Sequence, residues 1–105
     1  MGYYTDYTLT VKNVPEEMAS ALKYALTEDI GMEWWDNGSY FANAKWYDHD
    51  EDMKALSFNF PGVLFELYGC GEDSDDMWYT YYKDGKMQHC PAQITFDPYD
   101  ESKLQ

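Results

Sequence analysis

The order in which strand-like and helix-like segments alternate constrains the fold of this chain more than any other sequence feature. Residues 7–12 alternate apolar and polar side chains at period two, which is typical of a strand with one buried face. Helical spacing of apolar residues follows as far as Gly31, a residue that favours a helix end. Asn13 is a candidate N-cap, and Pro15 suits the first helical position. The chain is therefore predicted to begin with a strand and a helix.

A hairpin and a second helix are predicted in the middle of the chain. An Asn-Gly dipeptide at 37–38 lies between two aromatic-rich runs. Because this dipeptide adopts positive φ angles at low cost, it predicts a tight turn between strands at 32–36 and 39–46. Asp48, with further acids behind it, is typical of a helix N-cap, and the helix that follows is expected to end at Pro61.

The rest of the chain predicts further strands joined by short loops. In order, these elements are a central strand at 62–68, an acidic loop at 71–76, a strand at 77–82, a tight Asp-Gly turn at 84–85, a strand at 86–90 that continues to 94–96, and a loosely packed tail at 97–105. Within the last strand, Pro91 suggests a bulge or an edge position. The complete order is β-α-β-β-α-β followed by a hairpin. It predicts a single α+β domain over 1–105, with a ferredoxin-like antiparallel sheet, both helices on one face, and a C-terminal β-hairpin as an extension.

Composition adds an unusual surface to this domain. Acidic residues number 20 against 7 basic ones, so the formal net charge is −13, yet 19% of the residues are aromatic. High charge with few aromatics is typical of disorder, whereas this combination predicts a folded domain with an acidic surface. No apolar run has the length of a membrane span, and the first residues lack an export signal. We therefore expect a cytosolic protein that does not bind membranes.

The charge also argues against direct binding to nucleic acid. Phosphate contacts supply most of the affinity for nucleic acid, and a domain of charge −13 repels the phosphate backbone. The β-α-β-β-α-β order is shared with RNA-recognition modules, but residues 38–45 lack the basic-glycine-aromatic pattern that those modules use. We expect no direct nucleic-acid partner.

Neither a metal site nor a catalytic motif is apparent. Residues 48–52 begin like a calcium loop, but Met53 and Asn59 stand where such a loop needs a glycine and a bidentate glutamate. The histidines and cysteines are His49, His89, Cys70 and Cys90. No nucleophile, phosphate-binding or zinc motif accompanies them, so we expect no metal, no cofactor and no enzymatic activity. The sequence leaves open whether the two cysteines are bonded.

The segment from Trp46 to Lys86 carries a resemblance to known proteins. It combines an acidic helix start, Leu-Ser, Phe-Pro-Gly-Val-Leu-Phe, a Gly-x-Gly-Glu loop, Asp-x-Trp and Asp-Gly-Lys. This pattern resembles small phage and plasmid proteins with a YubB-like ferredoxin-fold domain. The resemblance implies a ferredoxin-like fold and an origin on a mobile element, and it transfers no catalytic residue.

Two clusters of acids next to aromatic residues suggest a surface for a basic protein partner. The predicted partner-binding residues are Asp48, Asp50, Glu51, Asp52, Glu72, Asp73, Asp75, Asp76, Trp78 and Tyr79. The leading hypothesis is a phage-encoded, non-enzymatic inhibitor of the anti-CRISPR or another anti-defence type. It would occlude a nucleic-acid-binding protein or defence complex by placing carboxylates where phosphates lie.

Two alternatives to this hypothesis stay open. The domain could bind a nucleotide or another small molecule on an aromatic sheet face. It could instead be an accessory phage protein whose acidic surface serves solubility. The sequence does not identify the partner, the host or the oligomeric state.

Overall fold

The protein folds around one open antiparallel sheet. The computed structural model describes residues 4–34, 39–72, 76–93 and 95–105. Within these ranges the strands are β1 (Thr5–Lys12), β2 (Glu33–Trp34), β3 (Tyr40–Ala44), β4 (Leu64–Cys70), β5 (Met77–Lys83) and β6 (Lys86–Pro91). Their order across the sheet is β2-β3-β1-β4-β5-β6, and every neighbouring pair is antiparallel. The predicted antiparallel sheet is confirmed.

Two helical segments accompany the sheet. The first joins a 3-10 turn, an α-helix and a π-helical turn in succession: Glu16–Met18, α1 (Ala19–Tyr24) and Ala25–Ile30. The second is α2 (His49–Asn59), and a short 3-10 turn, Glu101–Lys103, lies beyond the sheet. No helix in the described ranges combines the length and the apolar character needed to cross a membrane.

The core lies between the helical segments and one face of the sheet. Alternate residues of the central strands point into it, including Leu9, Phe65 and Leu67, each with 0% exposed surface. Leu26 from the first helical segment and Met53 from α2 belong to the same buried cluster. Because both segments contribute to one cluster, both cover the same face. The opposite face, which we call the open face, is not covered by either of them.

Several local predictions are confirmed where the backbone itself demands a residue type. Gly31 ends the first helical segment with φ 89° in the left-handed region, which glycine adopts without strain. Asp84 and Gly85 form the turn between β5 and β6 with φ angles of 53° and 79°. The Asn-Gly dipeptide at 37–38 lies outside the described residues.

Other local predictions are corrected. Asn13 is not the N-cap, because it has φ 62° and Pro15 precedes the first helical turn. Asp48 is the N-cap of α2, but its side chain makes no capping hydrogen bond. Of the predicted strand at 32–36, β2 covers Glu33–Trp34 and leaves out Met32, while residues 35 and 36 lie outside the described residues. The strand predicted to continue to 94–96 does not include Thr95 and Phe96. It ends at Pro91 on the edge of the sheet, a position that suits proline, although the N–H of Ala92 still donates to the carbonyl oxygen of Met77 at 2.9 Å.

Candidate functional site

One end of the sheet collects most of the predicted partner-binding acids. Asp6 of β1 pairs with Cys70, and Cys70 pairs with Met77, so the start of β1, the end of β4 and the start of β5 lie side by side. The first turn of α2 lies over the same region. We name this region the acidic end and define it by Asp48, Asp50, Glu51, Asp52, Glu72 and Asp76. Asp73 and Asp75 lie outside the described residues.

A cluster of rings supports the acidic end. The imidazole of His49 stacks on the indole of Trp78, with ring centroids 5.0 Å apart and an interplanar angle of 17°. Tyr7 meets Trp46 edge-on at 5.2 Å and Trp78 at 6.0 Å, while His89 lies 5.6 Å from Trp78. These rings come from β1, α2, β5, β6 and the loop before α2. The cluster therefore fixes the position of the first turn of α2 against the sheet.

Gly69 makes room for this cluster. It is buried and lies opposite Trp78 in the pairing of β4 with β5. A Cβ at this position would overlap the indole of Trp78. The absence of a side chain therefore allows the indole to lie flat across the neighbouring strand.

Several of the acids are held in place by hydrogen bonds from the cluster and its neighbours. The hydroxyl of Tyr82 donates to Oδ1 of Asp50, and Nδ1 of His49 lies 3.1 Å from the same oxygen. The indole Nε1 of Trp46 donates to Oδ2 of Asp52 at 2.7 Å. Asp50 and Asp52 are therefore oriented by the folded domain itself, without a binding partner.

The remaining acids at this end differ in their surroundings. The backbone N–H of Tyr4 donates to Oε2 of Glu72, which ties Glu72 to the start of β1. Asp48 and Glu51 are exposed to solvent. The acidic end thus combines oriented carboxylates with carboxylates that remain accessible.

The negative charge of the acidic end affects the pKa of two tyrosine hydroxyls. Burial raises the pKa of Tyr7, and the charges of Asp76 and Asp50 raise it further, although a hydrogen bond with Thr5 lowers it. Burial, followed by the hydrogen bond and charge of Asp50, raises the pKa of Tyr82 far above its usual value. Asp50 and Asp76 belong to different elements, and both act on Tyr7. The fold therefore brings the two predicted acid clusters together.

The two aromatic residues proposed for the same surface lie on opposite faces. Trp78 packs partly buried on the helix-covered face, against the core. Tyr79 is 43% exposed on the open face, where its ring lies 5.0 Å from that of Tyr68 and 6.0 Å from that of Tyr81. Consecutive residues of a strand point to opposite faces, so Trp78 and Tyr79 do not share one contact surface.

The opposite end of the sheet carries a feature that the sequence hypotheses did not include. Lys83 and Lys86 face each other across the β5–β6 turn. Phe65 of β4 pairs with Tyr82 of β5, so the next residues along these strands, Leu64 and Lys83, also lie opposite each other. Leu64 in turn pairs with Lys12 of β1. Three lysines therefore lie in one row on the open face. We name this region the lysine end, defined by Lys12, Lys83 and Lys86.

A depression of about 360 Å³ lies at the lysine end. Its lining residues are Leu64, Tyr81, Lys83, Asp84, Lys86, Met87 and Gln88. The Asp-Gly turn in the sequence predicts that Lys83 and Lys86 are opposed, and this was the available signal for the site. The position of Lys12, and the apolar lining formed by Leu64, Tyr81 and Met87, depend on strand register and could not be predicted from the turn.

Metal and disulfide chemistry find no support in the part of the chain that the structure describes. No group of three or more histidine, cysteine, aspartate or glutamate side chains in that part is arranged to hold a metal ion. Cys70 and Cys90 are free thiols.

Comparison of the chain with protein-family models, curated proteins and solved structures finds no match. Function must therefore be argued from the site.

Proposed function

We propose that this protein is a non-enzymatic binding protein whose acidic end docks on a basic protein surface that otherwise holds nucleic acid. The observation that supports the proposal is the separation of charge along the sheet. Carboxylates from α2 and from the β4–β5 region outnumber Lys45 at one end, while three of the 7 basic residues lie in a row at the other. An acidic surface that served solubility alone would need no such separation.

The mechanism rests on preorganisation and electrostatic steering. Asp50 and Asp52 are held by hydrogen bonds from Tyr82 and Trp46, so a partner that contacts them has less side-chain entropy to remove. The accessible carboxylates of Asp48 and Glu51 accelerate the encounter with a positive surface. The rows of carboxylates then occupy the positions of phosphates in the partner's groove.

The proposal extends to the fold family and to the origin of the protein. Four of the six strands, β1 to β4, lie in the order β4-β1-β3-β2 with antiparallel neighbours, and this order supports a split βαβ unit. We propose a ferredoxin-like unit to which β5 and β6 are added at the β4 side. Together with the resemblance of residues 46–86 to phage and plasmid proteins, this arrangement favours a phage-encoded inhibitor of the anti-defence type.

The test compares two variants of equal net charge. In the first, Asp48→Asn and Glu51→Gln neutralise two carboxylates of the acidic end, and Asp73→Asn and Asp75→Asn neutralise two acids that lie between Glu72 and Asp76 in the sequence. In the matched control, Glu16→Gln, Glu17→Gln, Glu28→Gln and Asp29→Asn neutralise exposed acids on the first helical segment. Basic proteins that the wild type captures from a bacterial lysate are identified, purified and measured by surface plasmon resonance with and without double-stranded DNA.

We expect the acidic-end variant to associate at least about tenfold more slowly than wild type, with the control close to wild type. DNA should compete with the wild type for the partner. Equal loss in both variants would show that only net charge matters, and binding unaffected by DNA would contradict the mimicry mechanism.

A further inference from the structure

The segment that follows β6 carries large apolar side chains that bury almost nothing. Phe96 is 88% exposed, Tyr99 76% and Leu104 64%. The segment has local order, because the backbone N–H and the hydroxyl of Ser102 donate to Asp100 at 3.0 and 2.7 Å. These exposures show that the segment packs little against its own domain.

The lysine end offers complementary chemistry. Leu64, Tyr81 and Met87 give the depression an apolar lining, and Lys83 and Lys86 place positive charge at its rim. Among the described residues, neither ammonium group has a carboxylate within ion-pair distance.

The two acids nearest the depression already have partners. Glu66 accepts the ion pair of Lys12 at 3.0 Å, and Asp84 accepts a hydrogen bond from the N–H of Gly62 at 3.0 Å. The depression thus has unpaired positive charge beside apolar surface, in a chain whose net charge is −13.

We propose that residues 95–105 of one copy of this chain bind the depression at the lysine end of a second copy, and that the contact is reciprocal in a symmetric dimer. The segment interleaves the rings of Phe96 and Tyr99 with the carboxylates of Asp97, Asp100 and Glu101. Aromatic rings match the apolar lining, and carboxylates match the two lysines. The segment leaves the sheet at Pro91, on the side of the acidic end, so the two domains lie antiparallel with unlike ends adjacent.

The area of contact favours a dimer in which each copy binds the segment of the other. A buried aromatic side chain removes about 150–250 Å² from solvent, so Phe96 and Tyr99 together supply roughly 400 Å² per segment. One such contact falls short of the about 1,000 Å² that a specific interface needs. Two reciprocal contacts double the buried area, so a symmetric dimer comes closer to that limit than a single contact does. Adjacent unlike ends also offset the repulsion between two acidic chains.

The test is a charge exchange measured by sedimentation equilibrium on full-length chains at tens of micromolar. We expect a dimer for wild type. Lys83→Glu with Lys86→Glu, and Asp97→Lys with Glu101→Lys, should each weaken the dimer at least about tenfold because they place like charges together. The variant that combines all four substitutions should recover the dimer.

Two further variants sharpen the result. Lys23→Glu with Lys54→Glu changes the net charge as much as the lysine-end variant but lies on the two helical segments, so it should remain dimeric. Phe96→Ser with Tyr99→Ser should be monomeric with an unchanged circular dichroism spectrum, since these side chains bury nothing in the domain. A monomeric wild type, a combined variant that fails to recover, or a control that dissociates equally would overturn the proposal. None of these outcomes involves the residues that test partner binding at the acidic end.

Discussion

The two ends of the sheet carry opposite charge and are built by different means. At the acidic end, Asp50 and Asp52 receive hydrogen bonds from Tyr82 and Trp46 beside a packed cluster of rings. At the lysine end, the lysines lie on the surface, and the ion pair of Lys12 with Glu66 is exposed on the lysine side. Charge is therefore coupled to the core at one end and largely independent of it at the other. Substitutions at the two ends should differ in their effects on stability.

The largest difference in stability between the two ends is expected from a substitution that fills the space under Trp78. Gly69→Ala introduces a Cβ that overlaps the indole, and this overpacking should lower the free energy of unfolding by about 3 kcal/mol. The measurement is urea unfolding followed by circular dichroism. In a Trp78→Ala background the added cost of Gly69→Ala should fall below about 1 kcal/mol, because the overlapping ring is gone.

A matched substitution at the lysine end serves as the control for this contrast. Lys83→Ala removes an exposed side chain and should change the free energy of unfolding by less than about 0.5 kcal/mol. If Gly69→Ala and Lys83→Ala have similar small effects, the acidic end is not coupled to the core as described.

An intermediate loss of stability is expected at alkaline pH. The folded state raises the pKa of Tyr7 and Tyr82, mainly through burial, whereas unfolded tyrosine titrates near pH 10. The stability that the protonated phenols contribute is complete below about pH 10 and is lost as the pH rises, because the unfolded state then releases protons that the folded state retains. By about pH 11 Tyr82 alone should lower the free energy of unfolding by about 1.4 kcal/mol, and Tyr7 should add to this loss.

Single tyrosine variants isolate this alkaline effect. Tyr82→Phe should show a smaller loss of stability between about pH 8 and about pH 11, measured by urea unfolding at each pH. Tyr24→Phe, at a residue that is 63% exposed, should lose stability as wild type does. A Tyr82→Phe variant with the full alkaline loss would contradict the coupling of Tyr82 to the core.

The smallest effect is expected from the ion pair at the lysine end. Lys12→Met removes the partner of Glu66, but the pair is exposed on the lysine side, so the loss should be below about 0.5 kcal/mol. In about 1 M sodium chloride the difference from wild type should vanish, since salt screens exposed charges. A loss above about 1 kcal/mol that persists in high salt would show that this end, too, is coupled to the core.

Predictions from sequence succeeded where neighbouring residues decide the structure. The alternation in β1, the helix end at Gly31 and the turn at Asp84 and Gly85 follow from side-chain period and from the positive φ angles that these residues tolerate. Predictions failed where local preference competes with the surroundings. Asp48 has the residue type of a cap yet makes no capping hydrogen bond, and no strand forms at Thr95 and Phe96 although these residue types favour one.

The sequence by itself determined the element order, the single antiparallel sheet with two helices, and the excess of acid. Only the tertiary structure decided that acids from two distant segments meet around Tyr7, and that Lys12 joins Lys83 and Lys86 in one row. The physical reason is that side-chain period fixes which face a residue occupies within its own element. The partners across the sheet depend on strand order and register, which are set by the packing of the whole core.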